Sequence, residues 1–378
     1  MILGIDASNI RGGGGVTHLR ELLRHAHPEK HGFDEVIVWG GRRTLDQLEA
    51  RAWMQKKHEP LLDGNLIFRT YWQYFYLKRR ISDSSVDVVF FPGGLIRPSS
   101  GPFVSMSQNL LPFEPEEMAR YPLGLSRLRL NLLRRQQLNA FRKSRGVIFL
   151  SNYARDRALG YMEAPSFRTA VIPHGIDQKF FSAPKIQREV SVGSGEVFNL
   201  LYVSFVGEYK HQWNLVRAVR TLRGRGYPLH LTLVGAWNDS GAIQKLQAAL
   251  DEDPDYSRYI TILKDVEYNH VQEVYRQSDL FLFLSSCETF GQILTEAMAN
   301  GLPVLCSKMS SLPEIGSSAV DYINPLSERD VAEKLERTLL DRNRRQELSQ
   351  LAYSRASQYD WSATATATFE FFRDAIGK

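Results

Sequence analysis

Glu288 and Glu296 stand eight positions apart in the run CETFGQILTEAMANGLPVLCS, Cys287 to Ser307. A carboxylate accepts hydrogen bonds from hydroxyls and can neutralise a cation. Apolar residues at Ile293, Leu294, Ala297 and Met298 predict a short helix over Gln292–Asn300, stopped by Asn300-Gly301 with Pro303 just beyond. The free amides at its start, around Phe290-Gly291-Gln292, can hold phosphate or sugar oxygens. Glu288 precedes that helix and Glu296 lies inside it, so the two cannot reach the same atom. They suit an extended ligand with hydroxyls at both ends, and a sugar joined to a ribose through a diphosphate has that layout. A second candidate is Arg11-Gly-Gly-Gly-Gly-Val16, between a strand pattern and a helix pattern. Adjacent glycines let backbone amides approach an anion closely. The GxGxxG spacing is absent and no Walker lysine follows, so alone this run also fits a flexible surface turn.

The elements that must position these residues alternate between strand and helix patterns. Ile2–Asp6, Glu35–Trp39, Val86–Phe91, Phe103–Ser107 and Gly146–Leu150 are short apolar runs bounded by turn residues, as buried parallel strands are. After Ala170–Pro173 and a polar connector at Lys185–Gly195 the rhythm restarts. Strand patterns at Asn199–Phe205, Leu229–Val234, Ile260–Leu263, Leu280–Leu284 and Val304–Cys306 are separated by helix patterns near Trp213–Arg223, Ala242–Leu250, Val271–Gln277 and Gln292–Asn300. Two doubly wound α/β domains of the Rossmann kind are expected, covering 1–175 and 176–359, with a ligand cleft between them. A length of 378 residues suits two such cores. Cys287 and Cys306 are the only cysteines, too few for a disulfide framework or a zinc site, and a reducing cytoplasm is expected. No charged leader precedes MILGID, and no apolar run approaches the ~20 residues that span a bilayer.

Taken together these motifs resemble the retaining glycosyltransferases of family 4. Glu288 and Glu296 around Phe-Gly resemble the family's E-x7-E signature. Val171-Ile-Pro-His-Gly-Ile-Asp177 is similar to its "IPNGID" junction, and Tyr202–Gln212, YVSFVGEYKHQ, to the first strand and phosphate loop of its second domain. Ser311-Leu-Pro-Glu-Ile315 and the glycine loop also find counterparts, and Trp361 lies where the family's last helices begin to cross back. The resemblance covers nearly the whole chain. It implies the GT-B fold, with 360–378 returning to the first domain. It implies that Glu288 holds hydroxyls of the donor sugar and Glu296 the ribose. Phe290, Gly291 and Gln292 would offer amides to sugar or diphosphate. Lys210 would neutralise the leaving diphosphate, and Gly14 and Gly15 would close over it from the first domain. A front-face, retaining, metal-independent transfer is implied, with a GDP- or UDP-linked sugar as substrate and no cofactor.

Two departures stand out. Where the family has Gly-Arg in the phosphate loop, this chain has Ser204-Phe205, so one cation of the expected clamp is missing. Where many members carry a histidine near the reacting sugar, this chain has Ser105–Phe113, with Gln108 or Asn109 in that region. An amide positions a hydroxyl but is no base at neutral pH. Gln108 and Asn109 are therefore expected to bind the acceptor. This segment resembles a subset of bacterial polysaccharide-cluster transferases.

Other features find other uses. Met118–Arg155 carries nine basic residues and no acidic one. It suits an anionic partner such as membrane headgroups or a lipid pyrophosphate, and equally a solvated helix face beside Leu125, Leu128, Leu132 and Leu133. Tyr71–Arg80 is aromatic then basic, which fits an acceptor or membrane surface, or a core helix of ordinary aromatics. Asp251, Asp253 and Asp255 imitate a DxD metal site but sit in a polar loop with no strand before them. No histidine cluster has ligand spacing, so no metal is expected. His174 and His211 are expected to be local turn or loop residues.

The expected function is transfer of a hexose, mannose among the candidates, from a nucleotide-diphosphate sugar to a saccharide or lipid-pyrophosphate-linked acceptor. The setting would be bacterial lipopolysaccharide, O-antigen or exopolysaccharide synthesis. The protein would be cytoplasmic, with a peripheral contact to the inner face of the plasma membrane and no nucleic-acid partner. The alternatives are a non-catalytic nucleotide-sugar-binding scaffold, for which Phe205 speaks, and a sugar-nucleotide epimerase of the same fold.

Overall fold

The structure, a computed structural model, describes residues 1–93, 101–193, 195–264 and 266–377. Ser194 of the expected connector and Asp265 lie outside the described residues; Asp265 belongs to Lys264–Tyr268, the stretch where partners for the nucleotide base are expected. The chain forms two compact units. Unit 1 comprises Met1–Met118, Pro122–Gly175 and Tyr359–Lys378, and unit 2 comprises Ala119–Tyr121 and Ile176–Gln358.

Unit 1 is built on seven parallel strands: β1 (Ile2–Asp6), β2 (Glu35–Gly40), β3 (Met54–His58), β4 (Val88–Phe91), β5 (Phe103–Ser107), β6 (Gly146–Phe149) and β7 (Arg168–Val171). They lie in the order β3-β2-β1-β4-β5-β6-β7. Central strands are buried on both faces, as a parallel sheet covered by helices requires: Leu3, Ile5, Val36, Val38 and Phe90 on one face and Ile37, Trp39, Val89 and Phe91 on the other have almost no exposed surface. The last helix, Trp361–Ile376, belongs to this unit and lays Phe369 and Phe372 into its core, with Phe372 against Phe90 at 4.8 Å between ring centroids. Its first residue passes so close to Gly175 that a Cβ there would lie 2.2 Å from the Trp361 nitrogen. Only glycine fits at that point.

Unit 2 holds six parallel strands: β8 (Phe198–Val203), β9 (Leu229–Val234), β10 (Ile260–Leu263), β11 (Leu280–Phe283), β12 (Val304–Ser307) and β13 (Asp321–Ile323), ordered β10-β9-β8-β11-β12-β13. Both units are the Rossmann-like α/β sheets expected, and the fold is GT-B. In each, chain order reverses beside the first strand, between β1 and β4 and between β8 and β11. Loops leaving the carboxyl ends of those neighbours diverge, which opens a ligand crevice.

Two strands went unread. β3 has the sequence MQKKH and is largely exposed, so it carries no apolar run. It is a sheet edge guarded by lysines. β13 has three residues, too few for a pattern, and completes the opposite sheet's edge. β7 ends at Val171, ahead of the expected Pro173, because proline cannot donate to a ladder.

Candidate active site

The crevice of unit 2 is built from the loop after β8 and the loop after β11. Their strands are neighbours, paired Leu280 to Leu200 and Phe281 to Leu201. The loops are tied together above the sheet. Ser286 N donates to Tyr209 O at 2.8 Å, and His211 Nε2 meets Ser286 Oγ at 2.8 Å. Tyr202, at the end of β8, donates its phenol to Lys210 O at 2.6 Å. Burial, with the Glu288 charge adding, pushes that phenol well above its ordinary range, so it stays a donor.

Lys210 and Glu288 meet here as an ion pair between Nζ and Oε1. The lysine side chain is 4% exposed and the glutamate 17%. Three aromatic rings surround the ammonium, with centroids at 5.1 Å for Phe205, 5.0 Å for Tyr209 and 5.4 Å for Phe283. Phe205 therefore does more than remove a cation from the phosphate loop. Its ring lies against the remaining one, where the ring quadrupole attracts positive charge. The backbone of Glu288 is clamped from the loop after β12. Its N–H donates to Ser310 Oγ at 2.9 Å, and Ser311 Oγ donates to its carbonyl at 2.8 Å. These serines and Ser286 were not among the residues expected at the site. Their only signal was position: Ser311 opens the Ser311–Ile315 segment, Ser310 precedes it, and Ser286 precedes the Cys287–Ser307 run.

The helix Gln292–Ala299 begins directly after Glu288. Gly291 sits at φ 91° as its N-cap, a backbone region that L side chains rarely adopt, and a Cβ there would lie 2.6 Å from Leu312 Cδ2. Phe290 is buried. The first amides of the helix have no carbonyl a turn earlier to bond. Glu296, one turn in, is 5% exposed and has Tyr275 Oη 3.4 Å from its Oε2. The structure thus brings Lys210, Glu288, Gly291 and Gln292 together and sets Glu296 deeper, against the helix Tyr268–Gln277.

Unit 1 has its own crevice at the β1 and β4 ends. Gly14 and Gly15 form the first turn of the helix Gly14–Arg24, rather than an open loop, with Gly13 at φ 62° as its N-cap. A Cβ on Gly12, Gly13 or Gly14 would meet nothing within 4 Å, so the space beside these glycines is open. A Cβ on Gly15 would lie 3.4 Å from Gln108 Oε1. The glycine turn and one of the two expected acceptor amides are therefore neighbours. Asn109 instead turns its Oδ1 to Leu111 N at 3.2 Å, closing the turn that follows β5.

The remaining candidates resolve as local structure. His174 packs its ring between His18, at 4.8 Å, and Trp361, at 5.5 Å. His211 is buried, and burial with nearby cations lowers its pKa to about 3, so it is neutral at physiological pH. Asp253 closes an exposed acidic turn, accepting from Asp255 N at 2.9 Å and from Tyr259 Oη at 2.6 Å. Among the described residues no group of three or more His, Cys, Asp or Glu side chains could hold a metal ion.

Residues 12–180 match the family model Glycosyltransferase Family 4, and residues 185–355 match Glycosyl transferases group 1. Both models are of glycosyltransferase domains, and together they account for most of the chain. The D-inositol 3-phosphate glycosyltransferase of Paenarthrobacter aurescens is 27% identical to this chain over 231 residues, 58% of this chain and 55% of the relative. The O-antigen chain mannosyltransferase B of Escherichia coli is 27% identical over 177 residues, 46% of this chain and 45% of the relative. The chain thus spans about half the length of the curated relatives it matches. Anabaena HepE, solved in complex with UDP and glucose, superposes with a TM-score of 0.71 at 16% identity, covering 98% of this chain and 99% of that one.

Proposed function

We propose that this glycosyltransferase moves a sugar from a nucleotide-diphosphate donor to a saccharide or lipid-linked saccharide, with retention at the anomeric carbon. The observation that carries the reading is the Lys210–Glu288 pair, set at the switch point of unit 2 beside the N-terminus of the helix Gln292–Ala299. A donor entering there would take over both partners: its diphosphate draws Lys210, and its sugar hydroxyls donate to Glu288. Charge developing on the departing diphosphate is then met by one ammonium and by the helix amides, in place before the reaction begins. Glu296, deeper along the helix, would hold the ribose. A front-face path, in which the leaving phosphate accepts the acceptor's proton, is the route that the resemblance to family 4 implies.

Unit 1 is assigned the acceptor, through Gln108 beside the Gly14-Gly15 turn. UDP and glucose in the HepE complex and the O-antigen mannosyltransferase among the relatives support a nucleotide-sugar donor and a saccharide acceptor of the surface-polysaccharide kind. The family matches are to transferase domains, and they do not favour the scaffold or epimerase alternatives. Incubation with a panel of GDP- and UDP-sugars and polyprenyl-pyrophosphate saccharides, read by nucleotide release and by the anomeric coupling of the product, tests the proposal. An α-linked product from an α-linked donor is expected. Inversion, or release of free sugar alone, would overturn it.

A further inference from the structure

The helix Leu66–Phe75 of unit 1 is apolar on two faces. One face is ordinary core: Trp72 and, in the next helix Leu77–Asp83, Leu77 and Ile81 pack with Ile37, Trp39, Phe91 and Phe103. The other face is exposed. Ile67 is 75% exposed, Phe75 67%, Leu66 56% and Phe68 50%, and Tyr71 and Tyr74 follow at 47% each. The rings form one patch, with Tyr71 4.7 Å from Phe75 and 6.0 Å from Tyr76 between centroids. A surface helix normally turns polar residues outward, and a contiguous apolar patch of this kind marks an interaction surface.

Between Asp63 and Asp83 the chain has no carboxylate and carries Arg69, Lys78, Arg79 and Arg80. Arg80 is engaged with Glu59 at 2.6 Å, and Arg79 lies 3.5 Å from Asp83. Arg69 and Lys78 have no ion-pair partner among the described residues. Aliphatic and aromatic side chains next to lysine and arginine are the composition of a surface that lies in the headgroup layer of an anionic bilayer.

The helix is also wired to the acceptor crevice. Arg11, at the start of the glycine run, donates to Gly64 O at 2.9 Å and to Asp63 O at 3.3 Å, immediately before the helix. Gln73, buried on the inner face, donates to Asp6 Oδ2 at 3.0 Å and to Ser8 Oγ at 2.7 Å, at the carboxyl end of β1. The exposed patch is therefore anchored to the sheet edge from which the Gly14-Gly15 turn rises.

We propose that the outer face of Leu66–Tyr76, with Lys78 and Arg79, seats unit 1 on an anionic lipid surface and brings the carboxyl edge of its sheet to a lipid-carried acceptor. The inference rests on the reading of unit 1 as the acceptor-binding half. Sedimentation with vesicles of phosphatidylcholine alone and of phosphatidylcholine mixed with phosphatidylglycerol tests it. Wild type should pellet with the anionic vesicles and stay in solution with the neutral ones. The double variant Ile67→Glu, Phe75→Glu alters two side chains that support no core, and its partition should fall by about tenfold or more. Lys78→Glu should weaken binding and flatten its salt dependence. Thermal stabilisation by a nucleotide-sugar, a readout of unit 2, should be the same in all three proteins. If that shift is present while wild type ignores anionic vesicles, or while the double variant pellets as well as wild type, the membrane inference falls and the donor reading stands. If wild type elutes as a dimer that the double variant splits, the patch faces a second copy and the inference falls. Absence of the nucleotide shift in wild type would overturn the donor reading on its own, whatever the vesicles show.

Discussion

Lys210 and Glu288 reach one another from loops 78 residues apart in sequence, and each loses most of its water on doing so. Removing either leaves the other as a buried charge without its partner, and removes a group proposed to bind the donor. Lys210→Ala and Glu288→Gln should each lower kcat by about 100-fold or more, the usual scale for one preorganised electrostatic contact, at saturating donor. Steady-state kinetics on folded variants check this. Gly291→Ala should cost about 1–3 kcal/mol in urea unfolding, because it forces a side chain into a positive-φ position against Leu312. Glu288 was legible from motif spacing, and Lys210 from the resemblance of its loop to family 4. The three rings around Lys210 were not, since Phe205, Tyr209 and Phe283 are brought together only by the adjacency of β8 and β11.

Elements with a strong internal period were read to within a residue or two. β1, β5, β9 and β10 occupy the residues expected, as their apolar runs fill a doubly covered sheet. The edge strand β3 was illegible because an edge needs no apolar face. Patterning also cannot tell how many faces of a helix are covered. The stripe at Leu125, Leu128 and Leu132 is exposed, as is the outer side of Leu66–Phe75. The helix Gly14–Arg24 carries a prediction of its own. His18 is fully buried on it with neither ring nitrogen hydrogen-bonded, and burial lowers its pKa to about 4. Unfolded, the same side chain titrates near the ordinary value of 6.5, so below that pH the unfolded chain binds the extra proton and stability falls until the folded pKa is reached. Between pH 7.5 and pH 5 the loss from this group should be about 2 kcal/mol. Chemical denaturation at the two pH values should show it, and His18→Leu should remove most of that difference. In the helix Leu66–Phe75, Gln73→Leu strips a donor from buried Asp6, whose pKa burial already raises. It should cost about 1–3 kcal/mol.

On the scale of the molecule, each unit is a complete parallel sheet with its own switch point, and each switch point carries a motif that spacing alone could find: the glycine turn in unit 1, the two glutamates in unit 2. The chain's last helix is part of unit 1, so that unit cannot be cut at Gly175 without losing Phe369 and Phe372 from its core. No helix among the described residues is long and apolar enough to cross a membrane. What the sequence leaves open is chemical rather than architectural. Recognition of the proposed donor's base and sugar would rest on backbone groups and loop side chains, whose positions no periodicity encodes. The measurement that most directly tests the account is thermal stabilisation by GDP-, UDP- and ADP-sugars, run on wild type, Glu288→Ala and Glu296→Ala. The account predicts that one nucleotide-sugar at ~100 times its Kd adds about 2.7 kcal/mol to wild type and that both variants lose the shift. Equal stabilisation of all three proteins, or no shift in wild type at saturating donor, would contradict it.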